Sequence, residues 1–171
     1  MVRLLFTFFL ILFAAMSRLL PHPANFVPIT AIALFGGVYL DKKHTFIVPI
    51  AALLISDYFI GFYQGWQWVY GSFIAIGFIG LWLRNHKEIL PVIGASLTGS
   101  LLFFVVTNFG VWVSAQSGYA HNVSGLLECY VAAIPFFRNT LAGDLMYVGV
   151  LFGVYELAKK YVPVLSLKPT V

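Results

Sequence analysis

The sequence predicts an all-α integral membrane protein, a single domain of six transmembrane helices with both termini on the cytoplasmic side. Three observations carry this reading. Of 171 residues, 61% are hydrophobic and 9% are charged, where a soluble domain has roughly 45–50% apolar and about 25% charged residues. The apolar residues gather into six runs close to membrane-spanning length. The cations between those runs fall almost entirely on one side. A soluble fold of this size must expose much of its surface to water and cannot hide so much apolar area. The composition also excludes a disordered chain, and a single cysteine excludes a disulfide scaffold.

The six runs follow from the ~30 Å thickness of the hydrocarbon core, which asks for about 20 apolar residues per helix. They cover residues 3–20, 25–40, 45–63, 66–83, 89–115 and 139–158. Each break has a chemical cause. Pro21-His22-Pro23 separates the first two, and Asp41-Lys42-Lys43-His44 the next two. Gln64-Gly65 is a tight polar turn, and residues 84–88 form a charged loop. The connection 116–138 is long enough for structure of its own. Its stretch 126–137, with Pro135, reads as a short interfacial or re-entrant helix.

Charge sets the orientation. With six spans, Arg3, Lys42, Lys43, Arg84, Lys87, Lys159, Lys160 and Lys168 share one side. Only Arg18 and Arg138 fall on the other. The positive-inside rule makes the cation-rich side cytoplasmic. Residues 1–17 fit a cleaved signal peptide loosely, through Arg3 and Ala15-Met16-Ser17. They are read here as the first span. One internal echo links Leu34-Phe35-Gly36-Gly37-Val38-Tyr39 to Leu151-Phe152-Gly153-Val154-Tyr155. Convergence is the favoured reading, with a true repeat as the alternative: glycine permits close packing, and tyrosine and lysine suit the interface.

Polar groups inside apolar runs need a reason, because each costs a few kcal/mol at mid-membrane. Asp57 and Asp144 lie within the third and sixth runs, and Asn108 and Thr107 in the outer half of the fifth. Arg18 ends the first run, with Asn25 soon after. Arg138, Asn139 and Thr140 open the sixth. Nearly all fall in the outer half, which suggests an outward-facing polar pocket. Buried ion pairs cross-linking the helices are the structural alternative.

Aromatic residues crowd the same side. Tyr58, Phe62, Tyr63, Trp66, Trp68 and Tyr70 surround the third turn, and Trp112 ends the fifth run. An interfacial belt accounts for most of them. Trp112 and Tyr58, next to Asn108 and Asp57 in sequence, are the candidates for stacking on a flat ligand. Cys129 reads as an ordinary buried cysteine, with a soft-metal ligand as the alternative. No metal-ligand spacing, phosphate loop, nucleophile elbow or nucleic-acid patch is present, so no cofactor or nucleic acid is expected. Small residues four apart, at Ala33/Gly37, Gly71/Ala75, Ala95/Gly99 and Gly149/Gly153, permit close helix packing within the bundle or against a partner.

Residues 21–29 (Pro-His-Pro-Ala-Asn-Phe-Val-Pro-Ile) and Ala33-Leu34-Phe35-Gly36-Gly37 resemble the start of an uncharacterised family of small bacterial membrane proteins. Thr107-Asn108-Phe109-Gly110-Val111-Trp112, Cys129-Tyr130 and the stretch 135–145 look like its other signatures. More distantly, the size, helix number, internal termini and outer polar cluster are similar to the substrate-binding S components of energy-coupling factor transporters. That resemblance implies capture of a vitamin or metal ion. It also implies a transmembrane coupling subunit and cytoplasmic ATPases as partners. A cobalamin-linked relative with a cysteine ligand adds interest to Cys129.

The expected function is binding and uptake of a small, ring-bearing micronutrient from the bilayer's outer side. Arg18, Asn25, Asp57, Asn108, Trp112, Arg138, Asn139 and Asp144 are the expected ligand-binding residues. The first rival is a non-transporting accessory subunit of a larger membrane complex. A third reading is an intramembrane enzyme using Asp57 and Asp144.

Overall fold

The computed structural model describes residues 2–114 and 117–161. Among them, all regular structure is helical: α1 (Val2–Leu19), α2 (Ile29–Tyr39), α3 (Lys42–Ile60), α4 (Trp66–Leu83), α5 (Ile89–Val113) and α6 (Val123–Tyr161). The helices α3 to α6 are long and apolar enough to cross a membrane. The side chain of Arg3, all of Lys168, and Ala115 at the expected end of the fifth run lie outside the described residues.

Helix α2 is the centre of the bundle and packs against each of the other five. Every residue from Ile29 to Val38 is buried. Its sequence allows this, because it carries no charge and alternates bulky residues with Ala31, Ala33, Gly36 and Gly37. At Gly37 the backbone of α2 meets that of α4. A Cβ there would lie 2.1 Å from the carbonyl carbon of Gly80. Such an approach is the use of small residues in tightly packed helices.

The second run was expected to be helical from residue 25, but α2 starts at Ile29 and has 11 residues. At 1.5 Å per residue it rises about 16 Å, roughly half a hydrocarbon core. The cause is local. Pro23 and Pro28 disfavour helical backbone in the residue before each. Asn25 adopts a left-handed conformation, with φ 62°. The chain therefore reaches the centre of the bundle through a non-helical segment, residues 20–28.

A second correction concerns the connection after α5. The separate helix at 126–137 and the sixth run at 139–158 are one continuous helix of 39 residues. Pro135 removes one backbone hydrogen bond but does not end the helix. Packing on α5 holds the chain on both sides of it. The Tyr130 hydroxyl donates to the Val105 carbonyl at 2.8 Å, and the Phe104 and Phe137 rings lie 4.5 Å apart. Proline is tolerated within a helix where neighbours compensate in this way.

Side-chain bonds fix which helix ends meet. Arg18, near the end of α1, donates to the Leu53 carbonyl in the second half of α3, at 3.5 Å. Arg84, following α4, donates to the carbonyls of Gly37 and Leu40 at the end of α2, at 2.9 and 2.5 Å. The Tyr39 hydroxyl donates to Glu156 near the end of α6. Lys42, Lys43, Arg84, Lys87, Lys159 and Lys160 therefore belong to one end of the bundle. Arg18 belongs to the other. The internal echo has a spatial meaning here. Tyr39 and Tyr155 lie 4.2 Å apart, Phe35 and Phe152 5.5 Å apart, and these rings close the cation-rich end.

Candidate functional site

The opposite end is not filled. A cavity of about 360 Å³ lies among α1, α3, α4, α5, α6 and the segment before α2. Phe73, Phe103, Phe104, Phe136 and Phe137 supply ring surface, and Arg18, Asn25, Tyr63, Thr107, Asn108 and Thr140 supply polar groups. The non-helical segment explains why the cavity exists. A full-length second helix would occupy that space. The non-helical chain, turning at Asn25, puts Asn25 and Val27 on the wall instead. Irregular backbone deep in a helical bundle occurs where it is buried in protein or lines a cavity. Asn25 is also the one non-glycine residue with positive φ among the described residues. Asparagine tolerates that conformation better than most residues.

Arg18 enters the cavity wall with its charge already answered. Its Nη1 lies 2.7 Å from Oδ1 of Asp57, which is fully buried. Nη1 also donates to the hydroxyl of Ser56. The other Asp57 oxygen, Oδ2, accepts from the Tyr70 hydroxyl at 2.9 Å. Three helices are thereby tied at one carboxylate: α1 by Arg18, α3 by Asp57 itself, and α4 by Tyr70. Asp57 stands behind Arg18 and does not reach the cavity.

Of the other expected ligand-binding residues, Asn25 and Asn108 join Arg18 on the wall. The Asn108 amide donates to the Phe104 carbonyl one turn back, at 2.8 Å. Four residues lie elsewhere. Trp112 donates its indole N–H to the Ala120 carbonyl at 2.9 Å and packs against Phe109 and His121. Arg138 is exposed. Asn139 donates to the Ala24 carbonyl at 3.1 Å, pinning the non-helical segment to α6. Asp144 is buried and accepts from the Ser100 hydroxyl at 2.6 Å. Tyr58, expected to stack on a ligand, is 77% exposed. It follows Asp57 by one residue, and one residue on a helix is about 100° of rotation. Being next to an inward residue in sequence directs it outward.

The phenylalanine wall was not read from the sequence, because phenylalanines occur on every helix of so apolar a chain. A signal was present in the pairs Phe103-Phe104 and Phe136-Phe137, each within one helical turn of a polar residue on the same wall. Ser56, which accepts from Arg18, and Ser100, which donates to the buried Asp144, were also missed. Small hydroxyls inside apolar runs give no hint of their partners. Cys129 is buried, and its thiol lies 3.5 Å from the Asn108 carbonyl. No group of three metal-ligating side chains gathers among the described residues.

A second, shallower hollow of about 610 Å³ lies at the turn between α3 and α4, lined by Gln64, Trp66, Trp68, Gly110 and Ser114. Tyr63 borders both this hollow and the cavity. An apolar helical bundle with a ring-lined cavity at one end and a closed aromatic seal at the other defines the class of this protein. The chain belongs to a family of unknown function, DUF6580, which matches residues 1–165. No curated protein and no solved structure matches it.

Proposed function

We propose that this protein is a six-span, cytoplasmic-termini membrane protein that binds a small ring-bearing micronutrient from outside and serves its uptake. The arrangement is like that of an energy-coupling factor S component in a bacterial inner membrane. The observation that carries the reading is the cavity beside the non-helical segment, at the end of the bundle away from the cations. Its volume is near the lower end for ligand sites of ~300–1,000 Å³, and its lining of mostly apolar and aromatic surface with a few polar groups is the usual make-up. The phenylalanines offer ring faces, and Asn25, Asn108, Thr107 and Thr140 offer donors and acceptors. Because Asp57 neutralises Arg18, the favoured ligand carries little net charge. The hollow beyond Tyr63 serves as the entrance.

The test is mass spectrometry of small molecules released from protein purified in lipid nanodiscs. A single heterocyclic species at near-equal molar ratio supports the reading. Its loss in Ala133→Trp, which fills the cavity, supports the location. An empty protein that purifies only inside a fixed larger assembly overturns the reading.

One observation favours partnership with another membrane protein. Gly37 and Gly99 are used inside the bundle, but a Cβ at Gly149 or Gly153 would meet nothing within 4 Å. Both lie exposed on one face of α6. That face suits a coupling subunit, or the larger complex in which this chain would be an accessory subunit. Crosslinking from Gly149→Cys in membranes, followed by identification of the adduct, tests it.

A further inference from the structure

Asp144 is a buried carboxyl that lies off the cavity wall and outside the Arg18–Asp57 pair. It is 1% exposed, and its carboxyl is held by the hydroxyls of Ser100 and Thr30. The Ser100 hydroxyl also lies 3.0 Å from the Ser96 carbonyl, one turn back. Ser96 is itself fully buried, and its Oγ has no hydrogen-bond partner. Three helices thus bring a carboxyl and three hydroxyl residues to one buried junction.

No cation answers this carboxyl. The ion pairs among the described residues are Arg18–Asp57, His44–Asp41 and Lys159–Glu156. The elements packed on α6 are α5, α2 and the non-helical segment before α2, whose titratable side chain, His22, is exposed. α5 carries no titratable side chain, and α2 carries only Tyr39, at its far end. On α6 itself Tyr147 is one turn away, its ring tilted against that of Phe26. An isolated ionised carboxylate in an apolar interior is costly unless something takes up its charge. A metal ion bridging Asp144 and Ser100 would hold their oxygens further apart than the observed 2.6 Å. That separation is a direct hydrogen bond.

The junction also lies directly under the cavity. Thr140, one turn before Asp144, lines the cavity, as does Ile29, the neighbour of Thr30. We propose that Asp144, held by Thr30 and Ser100 beneath the cavity floor, is a proton-binding site loaded from the cavity. The carboxylate takes one proton from a hydronium ion on the cavity side, whose O–H bond breaks to leave water, and no other covalent bond changes. Once protonated it donates one hydrogen bond, so one hydroxyl must turn from donor to acceptor. The α2–α5–α6 junction therefore has two hydrogen-bond states, linked to the pH of the cavity side. This inference is independent of which ligand occupies the cavity.

The experiment is pH-dependent infrared difference spectroscopy of the full chain in lipid nanodiscs, in potassium and in sodium buffers, without ligand. The expected result is the C=O stretch of a buried protonated carboxylic acid at acid pH that disappears on alkalinisation. It should be missing in Asp144→Asn, and Ser100→Ala should change proton affinity by about tenfold, one pH unit. If Asp144→Asn does not fold, carboxyl-¹³C aspartate identifies the band in the wild type, where the chain has only three aspartates. Ser100→Ala must then move that band's titration. Spectra unchanged by Asp144→Asn, an aspartate band that Ser100→Ala leaves unmoved, or a midpoint that depends on sodium would each overturn the proposal.

Discussion

The guanidinium of Arg18 meets the carboxylate of Asp57 at 2.7 Å, with the carboxylate fully buried and a tyrosine hydroxyl on its second oxygen. The pair lets a cation line a cavity without leaving an uncompensated charge in the bundle. Removing one partner is expected to cost more than removing both, because a lone buried charge is worse than none. Arg18→Met or Asp57→Leu alone should destabilise the protein by about 3–5 kcal/mol, and the double variant should recover a large part of that loss. Thermal unfolding in a mild detergent, run as a double-mutant cycle, reads the difference. Additive single effects would show that the two groups act separately.

The crossing of α2 and α4 makes a sharper steric prediction. Gly37→Ala puts a methyl 2.1 Å from a backbone atom, with no flexible side chain to give way. Overpacking of this kind costs at least 1–3 kcal/mol, and folded yield should fall. Gly71→Ala, on open surface of the same α4, meets nothing within 4 Å and should be neutral or mildly stabilising. Fluorescence size-exclusion of the two variants side by side would check this. Equal behaviour would count against the close crossing.

Asn108 tests the cavity itself. Its amide is bonded within its own helix, so Asn108→Ala should leave the fold nearly intact. In the uptake reading it removes a polar contact worth about 0.5–1.5 kcal/mol, or roughly a two- to tenfold loss in ligand affinity. Thermal stabilisation by the co-purified molecule, titrated in wild type and variant, gives both quantities. Unchanged affinity would move the binding site elsewhere.

Topology is open to direct measurement. In a Cys129→Ala background, Ser117→Cys lies between α5 and α6, and Glu88→Cys lies between α4 and α5. With six spans and internal termini, an impermeant thiol reagent added to intact cells should label the first. It should reach the second only after permeabilisation. The reverse pattern would invert the protein, and labelling of both from outside would reduce the number of spans.

The residue pattern alone determined a good deal. Composition and run length gave an all-helical apolar bundle. Proline, glycine and charged breaks marked the helix borders closely for α4 and near the start of α5. The gathering of cations at one end follows from the parity of the helices, and parity is readable in one dimension. Polar residues near Arg18, Asn25 and Asn108 could also be noticed, because a polar group in an apolar run is conspicuous wherever it faces.

Only the tertiary structure decided the rest, and the reason is rotational phase and register between helices. Depth along the chain put Trp112, Arg138, Asn139 and Asp144 with the cavity residues, but phase turns Arg138 outward, and packing directs Asn139 to Ala24 and Asp144 to Ser100. Sequence could not show that Asp57 would meet Arg18 while Asp144 met only hydroxyls. Those choices rest on contacts between helices far apart in the chain. The continuity of α6 through Pro135 has the same origin. Neighbouring helices hold α6 together across its proline, whereas the prolines and the left-handed Asn25 before α2 set a non-helical course locally.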